Sequence, residues 1–286
     1  MEFEEYGKEV DDLKIKFNPY EFAESNLFKK ISNIFGYIKK NRTDIYTEFI
    51  KRLSYSKENL PKKEFFTDKT TEIVERINQS EFLTENQDLV LRYLNAFIET
   101  QGITDKEYWQ KEEIEIPARK FFHSANNLSY LILSALVDTI GKDEAIKLYK
   151  ETVDNYVRVF DTNQVNIFTD LEDMRQKFIR WTENSPYGRV RLLSTVEKGQ
   201  WMRICKNCEK VQNLDNLDEL DGELMYAISC YCHEPLAEMW NENFVLTLEQ
   251  SIAKGDTFCS YVYHDRSIVD RIEHPPREFF EKILEK

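Results

Sequence analysis

RVRLLSTVEKGQWMRIC, residues 189–205, is the stretch in which the chain changes its period. Upstream, apolar residues recur at helical spacing. Here RVRLLSTV (189–196) and QWMRIC (200–205) flank Glu197-Lys198-Gly199, and two such runs around a short glycine-bearing turn predict an antiparallel hairpin. A second hairpin is predicted from FVLTLEQSIA (244–253), the turn Lys254-Gly255-Asp256 and TFCSYVYH (257–264). Residues from about 217 to 240 read as a helix between the two hairpins. The order ββ-α-ββ predicts a small antiparallel sheet packed on helices.

Working outward, residues 1–19 read as a polar, partly extended lead-in. Phe22, Leu27, Ile31, Ile34, Phe35, Ile38, Ile45, Phe49 and Leu53 then recur at helical spacing as far as Pro61. A second helical segment is expected at 70–78. Thr84 with Gln87 forms a capping-box pattern for a helix ending near Gly102. The charged stretch 105–115 reads as a surface link. Pro117 suits the first turn of a helix over 118–140 that Gly141 closes, apolar on more than one face and so expected at the core's centre. Residues 143–160 are its expected antiparallel partner. Thr169 and Glu172 predict a second capping box for a helix to Trp181, NSPYG (184–188) a turn, and PPREFFEKILEK a terminal helix. The fold class expected is α+β and mostly helical, with residues 1–105 as a helical extension and 106–286 as the α+β domain.

Composition narrows the function. A 41% hydrophobic and 13% aromatic content excludes disorder. The net charge is −13, and residues 201–286 alone hold 9 basic and 17 acidic side chains. Such a surface repels phosphate backbones and anionic bilayers, so neither nucleic acid nor membrane is an expected partner. The first residues, MEFEEYGKEVDD, are acidic rather than basic and then apolar, and the longest apolar run, YLILSALV (130–137), is too short to span a bilayer. The expectation is a cytoplasmic protein with a small-molecule ligand, compatible with a homodimer.

All five cysteines, Cys205, Cys208, Cys230, Cys232 and Cys259, fall within the last third, with His233 and His264 among them. In a reducing compartment such clustering reads as metal-binding or reactive thiols before disulfides. Cys205-x-x-Cys208 is a half-site for zinc or an iron–sulfur cluster, since two intervening residues let both sulfurs face one ion. Cys230, Cys232 and His233 supply the other half, and Cys259 completes it. On a continuous helix Cys230 and His233 share a face while Cys232 points elsewhere. Zinc is the metal expected first and an iron–sulfur cluster second. Buried cysteines acting as small hydrophobes need no metal at all. His264 and His274 are expected at the surface.

These residues resemble a known signature. Cys205, then Cys230 with His233, the helix end WNENF, the strand LTLEQSIA and the closing GDTFCSYVYHD are similar to the C-terminal part of the L-2-amino-thiazoline-4-carboxylic acid hydrolase family, itself similar to 4-vinyl-reductase-type sensor domains. The resemblance covers about residues 115–265. It departs at His233, where an acidic residue is usual, at Tyr261, where Phe is usual, and at Ser251, where the sensor domains place a zinc cysteine. The resemblance implies hydrolysis of a ring or C–N bond in an aminothiazoline-carboxylate-type substrate. Its amidine-like carbon takes a thiolate or a metal-activated water, with Cys230 or Cys205 as nucleophile or ligand, His233 as base and Asp256 as orienter. Arg203, on the strand face of Cys205, suits a substrate carboxylate, with a surface ion pair as the plainer reading. Asp256 has one too, a turn residue held for backbone reasons. Two further readings stay open: a non-enzymatic ligand sensor or binding module with a structural zinc, and an iron–sulfur protein.

Overall fold

The computed structural model describes residues 1–7, 14–55, 75, 77–103, 113–160, 165–184, 190–208, 211 and 221–285. The segment expected as a helix at 70–78 falls almost wholly outside these residues, as do Pro61, most of the 105–115 link and of the NSPYG turn, and the first residues of the helix expected from 217.

The fold is α+β, mostly helical, with a five-stranded antiparallel sheet. Two compact units divide it. One comprises residues 14–156 with 213–215, and the other residues 1–13, 157–212 and 216–286. The helix over 118–140 therefore belongs with the N-terminal helices, and the division does not run at 105/106.

In the first unit, strands β2 (Lys14–Phe17) and β3 (Ile114–Pro117) pair antiparallel, with buried Ile15 opposite buried Ile116. The helices are α1 (Pro19–Ala23), α2 (Lys29–Asn41), α3 (Thr43–Tyr55), α4 (Glu81–Glu85), α5 (Gln87–Thr100), α6 (Ala118–Ile140) and α7 (Lys142–Phe160), the last four residues of α7 being counted with the second unit. A π-helical turn, Glu24–Phe28, joins α1 to α2. Helix α6 is central, as its apolar sequence predicts, and packs on α3 and α5 rather than along the helix that follows it. Helix α7 instead meets α2: Arg42 pairs with Glu144 at 2.6 Å, and Tyr37 Oη donates to Glu151 at 3.4 Å. Gly141, at φ 84°, makes this sharp change of direction in a single residue.

The capping boxes fall differently from the pattern. Thr84 lies inside α4, its hydroxyl donating to Ser80 O at 2.9 Å, and α5 starts after Asn86. Farther on, α8 (Leu171–Glu183) is capped one residue later than expected: Asp170 accepts from Asp173 N at 2.8 Å, and Asp173 accepts from Thr169 N. A carboxylate at the N-cap and one three residues on outcompete the Thr/Glu pair.

The second unit is built on the sheet, ordered β1-β4-β5-β7-β6. The first hairpin joins β4 (Arg191–Ser194) to β5 (Gln200–Cys205), and the second joins β6 (Phe244–Leu248) to β7 (Cys259–Asp265). The strand expected to run to residue 253 ends at Leu248, and a 3₁₀ turn, Ile252–Lys254, with Ser251 accepting from Ala253 N, occupies its end. Gly199 turns the first at φ 72°, where a Cβ would stand 2.8 Å from that of Ile268. The acidic lead-in supplies a fifth strand, β1 (Phe3–Tyr6), on the edge beside β4. One face is covered by α8, whose Phe178 packs on Trp201 at 5.3 Å and Trp240 at 5.8 Å. The other is covered by α11 (Arg277–Leu284), whose buried Phe280 joins Met202, Ile204, Phe258 and Val262. Between the hairpins lie α9 (Gly222–Ser229) and α10 (His233–Trp240), two helices where one was expected. Among the described residues no helix is long and apolar enough to cross a membrane.

Candidate functional site

Side chains alternate between the faces of a strand, so Trp201, Arg203 and Cys205 of β5 share one face. The register aligns them with neighbours on both sides. One row across β4, β5 and β7 is Arg191, Cys205 and Cys259, and the next is Leu193, Arg203 and Tyr261. The hairpins thus put two thiols and two guanidinium groups side by side on the face that α8 covers.

The segment after β5 and the break between α9 and α10 close over this corner. Pro235 explains the break. Lacking an N–H, it is tolerated only in the first turn of a helix, so the chain ends α9 at Ser229 and restarts at His233. Cys230 caps the first helix, and its carbonyl accepts from His233 N at 3.1 Å. Cys205, Cys208, Cys230, Cys259 and His233 all border one cavity of about 30 Å³, together with Arg203 and Tyr261. Both halves of the expected ligand set therefore border the same cavity although Cys205 and Cys230 stand 25 positions apart in the chain. Arg191, Asn207 and Ser229 also line it. No pattern in the sequence singled these three out.

Arg203 is the unusual member. It is 4% exposed, and its guanidinium lies over the Tyr261 ring at 3.9 Å and the Phe178 ring at 5.1 Å. Among the described residues no carboxylate pairs with it, and its Nε has no hydrogen-bond partner. This excludes the surface ion pair. A buried charge costs several kcal/mol unless an anion offsets it, and the groups able to ionise around Arg203 are Tyr263, Cys205, Tyr261 and Cys259. Ser229 Oγ and Asn207 Oδ1, on the same cavity, likewise make no hydrogen bond among the described residues.

The thiols differ among themselves. Cys259 is 1% exposed, its sulfur accepts from Ile252 N at 3.2 Å, and burial, then the neighbouring Cys205, push the thiol well above the ordinary range. It stays protonated at neutral pH. Cys230 Sγ lies 3.5 Å from Ser251 Oγ, so the position that resembled a sensor-domain zinc ligand does sit beside the cluster. His233 meets the Tyr261 ring edge-on at 5.4 Å.

Cys232 and Asp256 lie apart from the cavity lining. Asp256 accepts from Ser251 N at 2.7 Å through one oxygen and pairs with Arg277 at 2.7 Å through the other, the work of a turn residue. His264 and His274 correct an expectation: His264 is fully buried and His274 partly so, both in hydrogen bonds on the opposite face of the sheet. Trp201 and Trp240 are core residues.

Among the described residues no group of three or more His, Cys, Asp or Glu side chains is arranged to hold a metal ion. The thiols border one cavity without converging on one point. No protein-family model matches this chain, and no curated protein or solved structure does either.

Proposed function

We propose that the chain is a small-molecule, thiol-dependent hydrolase-like enzyme whose substrate presents a carboxylate to Arg203. The observation that carries this reading is the buried guanidinium of Arg203, without a carboxylate partner among the described residues, on a cavity shared with Cys230 and His233. A planar guanidinium pairs best with a two-oxygen anion. A cavity of about 30 Å³ has room for about two water-sized groups, the scale of a carboxylate head. With that head at Arg203, Cys230 Sγ adds to an adjacent amidine-like carbon and forms a C–S bond. His233 takes the thiol proton and delivers it to the departing nitrogen. Water then cleaves the C–S bond and restores the thiol.

The test is incubation of protein purified without oxygen with an aminothiazoline carboxylate, alongside elemental metal analysis. Turnover that disappears in Cys230→Ala and Arg203→Met supports the reading. Binding without turnover favours a ligand-binding module, for which the same cavity with Arg203 is the supporting feature. Stoichiometric zinc or iron transfers the thiols to a metal site, and failure to bind any small carboxylate removes the proposal.

A further inference from the structure

On the sheet face away from the thiol cavity, one hydrogen-bonded chain runs from β5 to the segment that precedes α11. Gln200 Nε2 lies 3.3 Å from His264 Nδ1, and His264 Nε2 lies 3.1 Å from Thr247 Oγ1. Thr247 Oγ1 lies 2.8 Å from His274 Nδ1, and His274 Nε2 lies 2.9 Å from Ser260 Oγ. Ser260 in turn donates to Gln250 Oε1 at 2.6 Å. Ser260 and His264 are fully buried, and the His274 ring lies 5.4 Å from that of Phe280 on α11.

With one proton on each imidazole, the chain runs in one sense. Ser260 gives its single proton to Gln250, so it accepts from His274 Nε2–H, and His274 Nδ1 accepts from Thr247. Thr247 then accepts from His264 Nε2–H, and His264 Nδ1 accepts from the Gln200 amide. Each imidazole carries one proton, and every group in the chain is satisfied with both rings neutral.

An added charge here meets no counter-charge. On the elements around the rings, Arg277 is held by Asp256 and Glu281, Asp265 by Ser267, and Arg266 by Glu238. Glu273 faces the exposed Arg271 at 3.8 Å, and Glu249 and Glu278 are exposed. No carboxylate contacts either ring among the described residues. Burial pushes both imidazoles down to about 4, and the charge of His274 adds to the effect on His264.

We propose that this relay is a proton-sensitive latch: a second proton on His274 turns its acceptor into a donor facing the Thr247 hydroxyl, leaves a half-buried charge without a counter-charge, and loosens the segment carrying His274 and α11 from the sheet. The Thr247 proton then has only Val262 O, at 3.5 Å, to turn to. Loosening uncovers the apolar face that Phe280 closes over Met202, Ile204 and Val262. The latch is separate from the thiol cavity and independent of what that cavity does.

The experiment is amide hydrogen exchange of residues 277–284 in the full chain at pH 7 and pH 5, corrected for the intrinsic pH dependence of exchange. One imidazole that titrates near 4 when closed and near 6.5 when open lowers protection by at most about 20-fold between those pH values, and the fall expected for partly exposed His274 is about 5- to 20-fold. His274→Gln keeps a donor and an acceptor but no titrating group, and its protection is expected to change less than about threefold over the same range. Equal wild-type protection at both pH values overturns the latch, as does an undiminished fall in His274→Gln. Should that variant not fold, NMR titration of the wild-type rings decides. Midpoints well below 6.5 that coincide with loss of α11 protection support it, and ordinary midpoints with α11 unchanged overturn it.

Discussion

Cys205 of β5 and Cys259 of β7 stand directly opposite each other, so both thiols leave the sheet on one face and share the cavity with Arg203. That opposition sets an order of reactivity, because the thiolate is the reactive form and burial opposes it. Half-exposed Cys208 and Cys232 are expected to alkylate first in native protein and Cys259 last. Timed iodoacetamide labelling with peptide mass spectrometry reads this directly. Cys259 reacting as fast as Cys208 contradicts the burial argument.

Arg203→Met replaces a buried, unpaired guanidinium by an apolar side chain of similar length. Such exchanges are neutral or stabilising by up to about 4 kcal/mol, set against loss of about 1–2 kcal/mol of cation–π contact with Tyr261 and Phe178. The expected outcome is an unchanged or higher melting temperature with carboxylate binding abolished, and no recovery in Arg203→Lys. A fall of more than about 3 kcal/mol in urea unfolding assigns Arg203 a structural ion partner instead.

Asp256→Asn removes half of a turn clamp, since Asp256 joins Ser251 N to Arg277. With Asp256 partly exposed, the expected loss is about 1–2 kcal/mol of stability, measured by urea unfolding. The properties of the cavity are expected to be unchanged. Full stability combined with lost turnover would restore the orienting role that the sequence suggested.

Stability is expected to decline as pH falls from about 6.5 to about 4. The sign follows from the two histidines: unfolded imidazoles take up protons near 6.5, folded His264 and His274 only near 4. Between those values the unfolded state binds more protons and gains. The contribution of His264 is up to about 3 kcal/mol, and that of partly exposed His274 is smaller. Urea unfolding of wild type and His264→Gln across this range measures the difference, and parallel curves would falsify the assignment.

The hairpins were legible because turn residues and strand period are local. Arg203 and Cys205 on one face and the turn at Gly199 follow from short stretches read alone, whereas the strand expected to reach residue 253 stops at Leu248, before a 3₁₀ turn at Ile252–Lys254. The single helix expected over 217–240 was misread where Pro235 permits two, and the capping boxes where Asp170 and Asp173 outcompete Thr169 and Glu172. Histidine at the surface was misread at His264 because alternation tells which residues share a face, not what covers that face.

By itself, then, the amino-acid sequence determined an α+β chain with two C-terminal hairpins and a cysteine-rich corner, since period, turns and composition act over a few residues. Only the tertiary structure decided that residues 3–6 complete the sheet, that four cysteines and His233 border one cavity, that Arg203 is buried there without a carboxylate partner among the described residues, and that two histidines are joined through Thr247. Burial and partnership depend on which distant segments meet, and that is settled by the packing of the whole unit.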